Sequence, residues 1–164
     1  MIPLGWFHTI TGIAALVSGA ITLYRFKEIS YHTRIGLFYL LTTLVTAVTA
    51  LLIYQHGGFG VAHFMAVAAV VALTVGLLAE SLTLFGSWSR RIQAVSFSAT
   101  ILFHCLPAVT DGLLRLPVGS PVLSSIDDPV MKMSHLALLV LFLIGVAFQL
   151  RWINRQPMTT SAGR

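Results

Sequence analysis

Charge is what this chain is short of. Only 9% of its 164 residues are Asp, Glu, Lys or Arg, against about 25% in an ordinary soluble domain. That excludes a water-soluble fold, whose surface needs far more ionised groups. Cysteine is almost missing as well: the single Cys105 rules out an intramolecular disulfide and a Cys-x-x-Cys redox motif. No basic residue precedes the first apolar run and no small-residue cleavage site follows it, so that run reads as a retained anchor and not a cleaved signal. Repeats, low-complexity tracts and polar stretches long enough for a soluble domain are lacking too. The chain reads as a single transmembrane domain, 1–164, with a frayed tail from Asn154.

What is present is apolar, 57% of the residues, and it comes in runs. The runs cover about 5–23, 35–54, 61–85, 92–110 and 134–153. Each is near the roughly 20 residues an α-helix needs to cross a hydrocarbon core about 30 Å thick. Asp128 followed by Pro129 reads as an N-cap and a first helical residue, because an aspartate oxygen accepts from free amides and proline has no amide to lose. The last helix is therefore expected over 129–153, with an outer segment over 111–128. The expected fold is all-α, an integral membrane bundle of five transmembrane helices.

Basic residues orient the bundle. Arg25, Lys27, Arg34, Arg90, Arg91, Arg151, Arg155 and Arg164 all fall on one side of five spans, which the positive-inside rule makes cytoplasmic. The N-terminus is then outside and the C-terminus inside. The outer side holds Arg115 and Lys132 against Asp111, Asp127 and Asp128. Trp6 and Tyr54 belong to an outer aromatic belt, and Tyr24, Tyr31, Trp88 and Trp152 to an inner one. The net charge of +5 becomes a cytoplasmic collar facing anionic membrane lipids and does not point to nucleic acid.

With that orientation, His8, His56, His63, His104 and His135 gather at the outer end, and only His32 is cytoplasmic. Ionisable side chains at membrane depth are expensive and usually face a bundle interior. His8 shares its stripe with Gly12, Ala15 and Gly19, small residues that permit close helix approach. Gln93, Phe97, Thr100, His104 and Asp111 share a face of the fourth helix, which Pro107 is expected to bend. Thr42, Thr46, Thr49 and His56 share one of the second. His56, in a link, is peripheral, whereas His8, His63, His104 and His135 lie on four different helices and form the expected site, with Asp111 beside them. Bland readings exist for each: a histidine near an interface bonds to water or a carbonyl, and a threonine stripe packs helices.

Several neutral imidazoles on facing helices suit haem b, whose iron takes two axial nitrogens. Three histidines with Asp111 suit zinc with an open position for water, and Met131, Met133 and His135 form a set copper accepts. The segment DGLLRLPVGSPVLSSIDDPVMKM, 111–133, is too apolar for a solvated loop; it reads as a lid over the histidines or as a contact with another subunit, a second copy included. Glu80, the acid deepest in an apolar run, is expected to snorkel to the inner interface, with a proton relay or a pairing with Arg25, Arg34 or Arg90 as alternatives.

The stretch WFHTITGIAALVSGAITLYRFKEISYHTRIGLFYLLTTLVTAVTALLIY, 6–54, resembles the start of an uncharacterised bacterial family of predicted multi-pass membrane proteins, and the resemblance runs to about residue 80. The features that carry it are His8, Gly12, Gly19, His32, Arg34 and Gly36. The resemblance implies a multi-pass protein of a bacterial inner membrane and supplies no activity. The leading expectation is a binder of a redox cofactor, haem b, at His8, His63, His104 and His135, exchanging electrons with a quinone or a larger membrane complex. The alternatives are an accessory subunit of a respiratory or photosynthetic membrane complex, and a membrane-embedded zinc hydrolase.

Overall fold

The computed structural model describes residues 3–54 and 58–156. Among them are five α-helices: α1 Pro3–Phe26, α2 Arg34–Leu51, α3 Val61–Leu82, α4 Ser89–Arg115 and α5 Pro129–Arg155, with a short 3-10 turn, Gly86–Trp88, ahead of α4. No strand occurs among the described residues. All five helices are long and apolar enough to cross a membrane. A helix suits that setting because it satisfies its own backbone where water cannot.

Local chemistry sets the helix starts. The Thr33 hydroxyl accepts from the Gly36 amide at 3.1 Å and opens α2. The Asp128 carboxylate accepts from the Val130 amide at 2.8 Å, with Pro129 in the first turn of α5, as the sequence predicts. At the end of α1, Lys27 adopts a left-handed backbone, φ 64°, which turns the chain out of the helix.

The helix ends depart from the apolar runs by a few residues throughout: α1 spans 3–26 where the run covers 5–23, and α3 stops at Leu82 where its run reaches 85. Helix α4 begins at Ser89 ahead of 92, and α5 takes in Asn154 and Arg155, where a frayed tail is expected. Helix α4 does not stop near 110 but continues through Asp111 to Arg115, where an i,i+4 ion pair of 3.2 Å supports the final turn. The link between α4 and α5 is correspondingly shorter than the expected 111–128, and it folds back on α4 through a 2.9 Å bond from the Leu123 amide to the Leu113 carbonyl. Helix α2 stops at Leu51 although the apolar run reaches Tyr54, because the Leu52 and Ile53 amides turn to carbonyls three residues back. Hydropathy marks where lipid is tolerated; hydrogen bonding decides where a helix ends.

Packing follows the small residues. Gly12 faces a Thr46 methyl and Gly19 faces the Tyr39 ring, so α1 lies close along α2 by way of the predicted stripe. Gly76 of α3 leaves room for the ring of Phe97 of α4. Tyr39 and Phe97 are fully buried and form the centre with Ala15, Leu40, Leu73 and Ile29. Helix α4 is central, touching α1, α3 and α5, while α5 packs chiefly on α4. At the basic end, Arg90 forms a bidentate pair with Glu28, at 3.0 and 2.9 Å. Glu80 accepts there from the Ser30 hydroxyl and the Tyr31 amide, so the first link holds it and Arg90 pairs with Glu28 instead.

Candidate functional site: a histidine and threonine seam

One side of α2 presents Tyr39, Thr43, Thr46 and Thr49, all buried. Their spacing of four, three and three residues follows one helix face. Onto this face two histidines converge from different helices. His8 of α1 places Nδ1 3.1 Å from the Thr46 carbonyl and 3.1 Å from the Thr49 hydroxyl. His104 of α4 places Nε2 3.2 Å from the Thr43 hydroxyl. Thr43 and Thr46 are one turn apart, about 4.5 Å along the axis.

The partners fix the chemistry of each ring. A carbonyl can only accept, so His8 Nδ1 carries the hydrogen and donates to the Thr46 oxygen. The Thr49 hydroxyl spends its own hydrogen on the Val45 and Thr46 carbonyls and therefore also accepts from His8. In the neutral ring, Nε2 of His8 is then left with the lone pair. Anchoring one imidazole nitrogen while the other is offered to an incoming group is the usual way a ligand histidine is oriented. The Thr43 hydroxyl can serve His104 as donor or acceptor, so that ring keeps both tautomers open.

Below the histidines the seam continues. Tyr39 bonds through its hydroxyl to Thr100 of α4, and the Thr100 hydroxyl also reaches the Phe97 carbonyl at 2.7 Å. Thr11 of α1 accepts from the Thr46 hydroxyl at 3.2 Å. The predicted polar faces of α2 and α4 thus meet, with one shift: Thr43, not Thr42, takes the inward place on α2.

The other expected site residues stand apart. His63 is buried, and its Nδ1 accepts the Gly60 amide hydrogen at 3.1 Å, closing the first turn of α3. In the neutral ring its Nε2 must then hold a hydrogen, not a lone pair, and this atom has no partner among the described residues. The ring rests between Tyr54 and Phe59, with centroids 4.7 and 5.0 Å away. His63 is occupied as a helix cap. His135 donates from Nε2 to the Thr110 hydroxyl at 2.9 Å, which itself donates to the Leu106 carbonyl, so this ring ties α5 to α4. Asp111 is exposed and paired with Arg115. His56 lies outside the described residues.

Two consequences follow for metals. Among the described residues no three of His, Cys, Asp and Glu come together as a metal-binding group, so a three-ligand zinc centre is not assembled there. Met131 is 1% exposed and Met133 69%, so these sulfurs turn to opposite sides of α5 and do not join His135 in one copper-type set. The residues sequence reasoning passed over are Thr43, Tyr39, Ser98 and Gln149. The first two repeat at the helical period of Thr46 and Thr49, a signal that was readable. No family model, no curated protein and no solved structure matches this chain.

Proposed function

We propose that this multi-pass membrane protein binds a redox cofactor at the α1, α2, α4 seam, and that the cofactor is haem b, which His8 and His104 would hold through their imidazole nitrogens. One observation carries the reading: two imidazoles from different helices converge within one turn of α2, and the tautomer of His8 leaves its Nε2 lone pair free. Haem b needs two nitrogen ligands, where zinc and copper need three or more. Bound there, the group would supply one-electron transfer, to a quinone or a partner complex. The protein's part is to hold and orient: Thr46 and Thr49 fix the His8 ring, and His104 joins by giving up its bond to Thr43. Tyr39 and Phe97 close the seam from below and keep water out. The basic end is taken as cytoplasmic and the seam as lying on the opposite side of a bacterial inner membrane.

The test is an absorption spectrum of the protein purified in detergent from cells supplied with haem precursor. A Soret band that sharpens on reduction, lost in His8→Ala and retained in His63→Ala, is the expected result. A colourless protein under those conditions overturns the reading.

A second reading is favoured by α5, of whose most apolar stretch only 11% is buried. An accessory subunit would cover that face with another chain of a larger complex. Stable partners retained through purification in mild detergent support it, and a monodisperse lone chain speaks against it.

A further inference from the structure

A second feature of the molecule lies away from the histidines. Between α4 and α5, beside the last turns of α1, runs a cleft of about 600 Å³. Its walls include Leu23, Ile101, Leu138, Leu141 and Phe142. Gly145 of α5 also lines it, and a Cβ placed there would meet open space. The polar atoms at its basic end are already spent on one another. The Ser98 hydroxyl donates to Gln149 Oε1 at 2.9 Å, and Gln149 Nε2 donates to the Lys27 carbonyl at 2.8 Å. Each of these groups already has a partner and the remaining walls are apolar, so the occupant along the walls is hydrocarbon.

The mouth has a different character. Lys27 and Trp152 border the cleft. The Lys27 ammonium donates to the Tyr24 carbonyl at 2.9 Å and has no carboxylate within ion-pair distance among the described residues. Arg90, which rests over the Trp152 ring at 5.4 Å, is neutralised by Glu28. Lys27 is the one charged residue among those lining the cleft, beside an indole suited to the membrane interface.

We propose that this cleft binds one acyl chain of an anionic phospholipid, with the phosphate held at Lys27 and the chain lying along Leu141, Phe142 and Gly145. Charge complementarity selects the headgroup and the apolar walls select the tail. A lipid seated there would fill the gap beside α5 that the protein's own side chains leave open.

The test uses the full chain in detergent, titrated with phosphatidylglycerol or with phosphatidylcholine of the same acyl chains and read by native mass spectrometry. One phosphatidylglycerol is expected to stay bound, in preference to phosphatidylcholine by about fivefold, the discrimination one basic residue near an anionic headgroup supplies. Lys27→Gln should remove the preference while leaving acyl-chain binding. Gly145→Trp should remove binding of both lipids, and because its side chain enters open space the helical circular dichroism should match the parent. Phosphatidylglycerol should also slow alkylation of Cys105, the single thiol, which lines the cleft, and this second readout needs no variant. Equal retention of the two lipids by the parent chain, unchanged Cys105 alkylation, or undiminished binding by a folded Gly145→Trp would each overturn the proposal.

Discussion

Helix α4 meets its neighbours in two unlike ways. Toward α2 and α3 it presents Phe97, Thr100 and His104 in close contact, with Phe97 filling the space left by Gly76 and Thr100 and His104 bonded to α2. Toward α5 the contact is an apolar cleft pinned at its ends, by Arg91 with Asn154 and Ser98 with Gln149 at the basic end and by Thr110 with His135 at the other. In a bilayer no hydrophobic force draws helices together, so close packing and hydrogen bonds decide which pairs hold. Helix α5 packs chiefly on α4, whereas α2, α3 and α4 each pack on two or more helices, so α5 is the helix whose position other molecules can influence.

Substitutions can break or sharpen this contrast. The largest effect is expected at Gly76, where any side chain overlaps the Phe97 ring. Gly76→Leu should destabilise by about 3 kcal/mol or abolish folding, whereas Gly145→Leu, facing open space, should stay within about 0.5 kcal/mol. Thermal unfolding followed by circular dichroism in detergent compares them, and equal losses would erase the distinction between the two faces.

Next is Gln149→Leu. It leaves the Lys27 carbonyl and the Ser98 hydroxyl without their partner, which should cost about 1–3 kcal/mol and loosen α5 first. Faster hydrogen exchange confined to α5 is the signature to measure; uniform acceleration through α1 to α4 would mean that α5 is not separable. Thr43→Val removes the hydroxyl that holds His104, for about 0.6 kcal/mol, the average of membrane hydrogen bonds. If His104 holds the proposed cofactor, the cofactor signal should persist in this variant, and loss of the signal would make Thr43 essential to the site. The smallest effect is expected at the exposed Asp111 and Arg115 pair: Asp111→Asn should change the melting free energy by about 0.3–0.5 kcal/mol, and a larger change would tie Asp111 to the histidines after all.

Much of this organisation can be read from the residues, and what cannot has a physical cause. Five apolar runs announce five helices, and Asp128 with Pro129 marks the start of α5 to the residue. The stripe of Gly12, Ala15 and Gly19 predicts which side of α1 meets a neighbour. Which helix that neighbour is cannot be seen, since helix order depends on shape fit between residues far apart in sequence. For the same reason His8 and His104 are visible as candidates but not as a pair, and His63 is indistinguishable from them. Its role is settled by a backbone amide three residues back, Gly60, whose hydrogen the ring accepts. The Arg90 and Glu28 pair and the Gln149 bond to Lys27 join positions dozens of residues apart, and no local pattern encodes either.

The most direct measurement is a reduced-minus-oxidised absorption spectrum of the purified chain, with haem supplied during expression, beside His8→Ala, His104→Ala and His63→Ala. The proposed site predicts a b-type difference spectrum in the parent and in His63→Ala, and its loss in both His8→Ala and His104→Ala while each variant keeps its helical content. A parent protein without the band, or a band that survives in both of those variants, would contradict a haem site on the α1, α2, α4 seam.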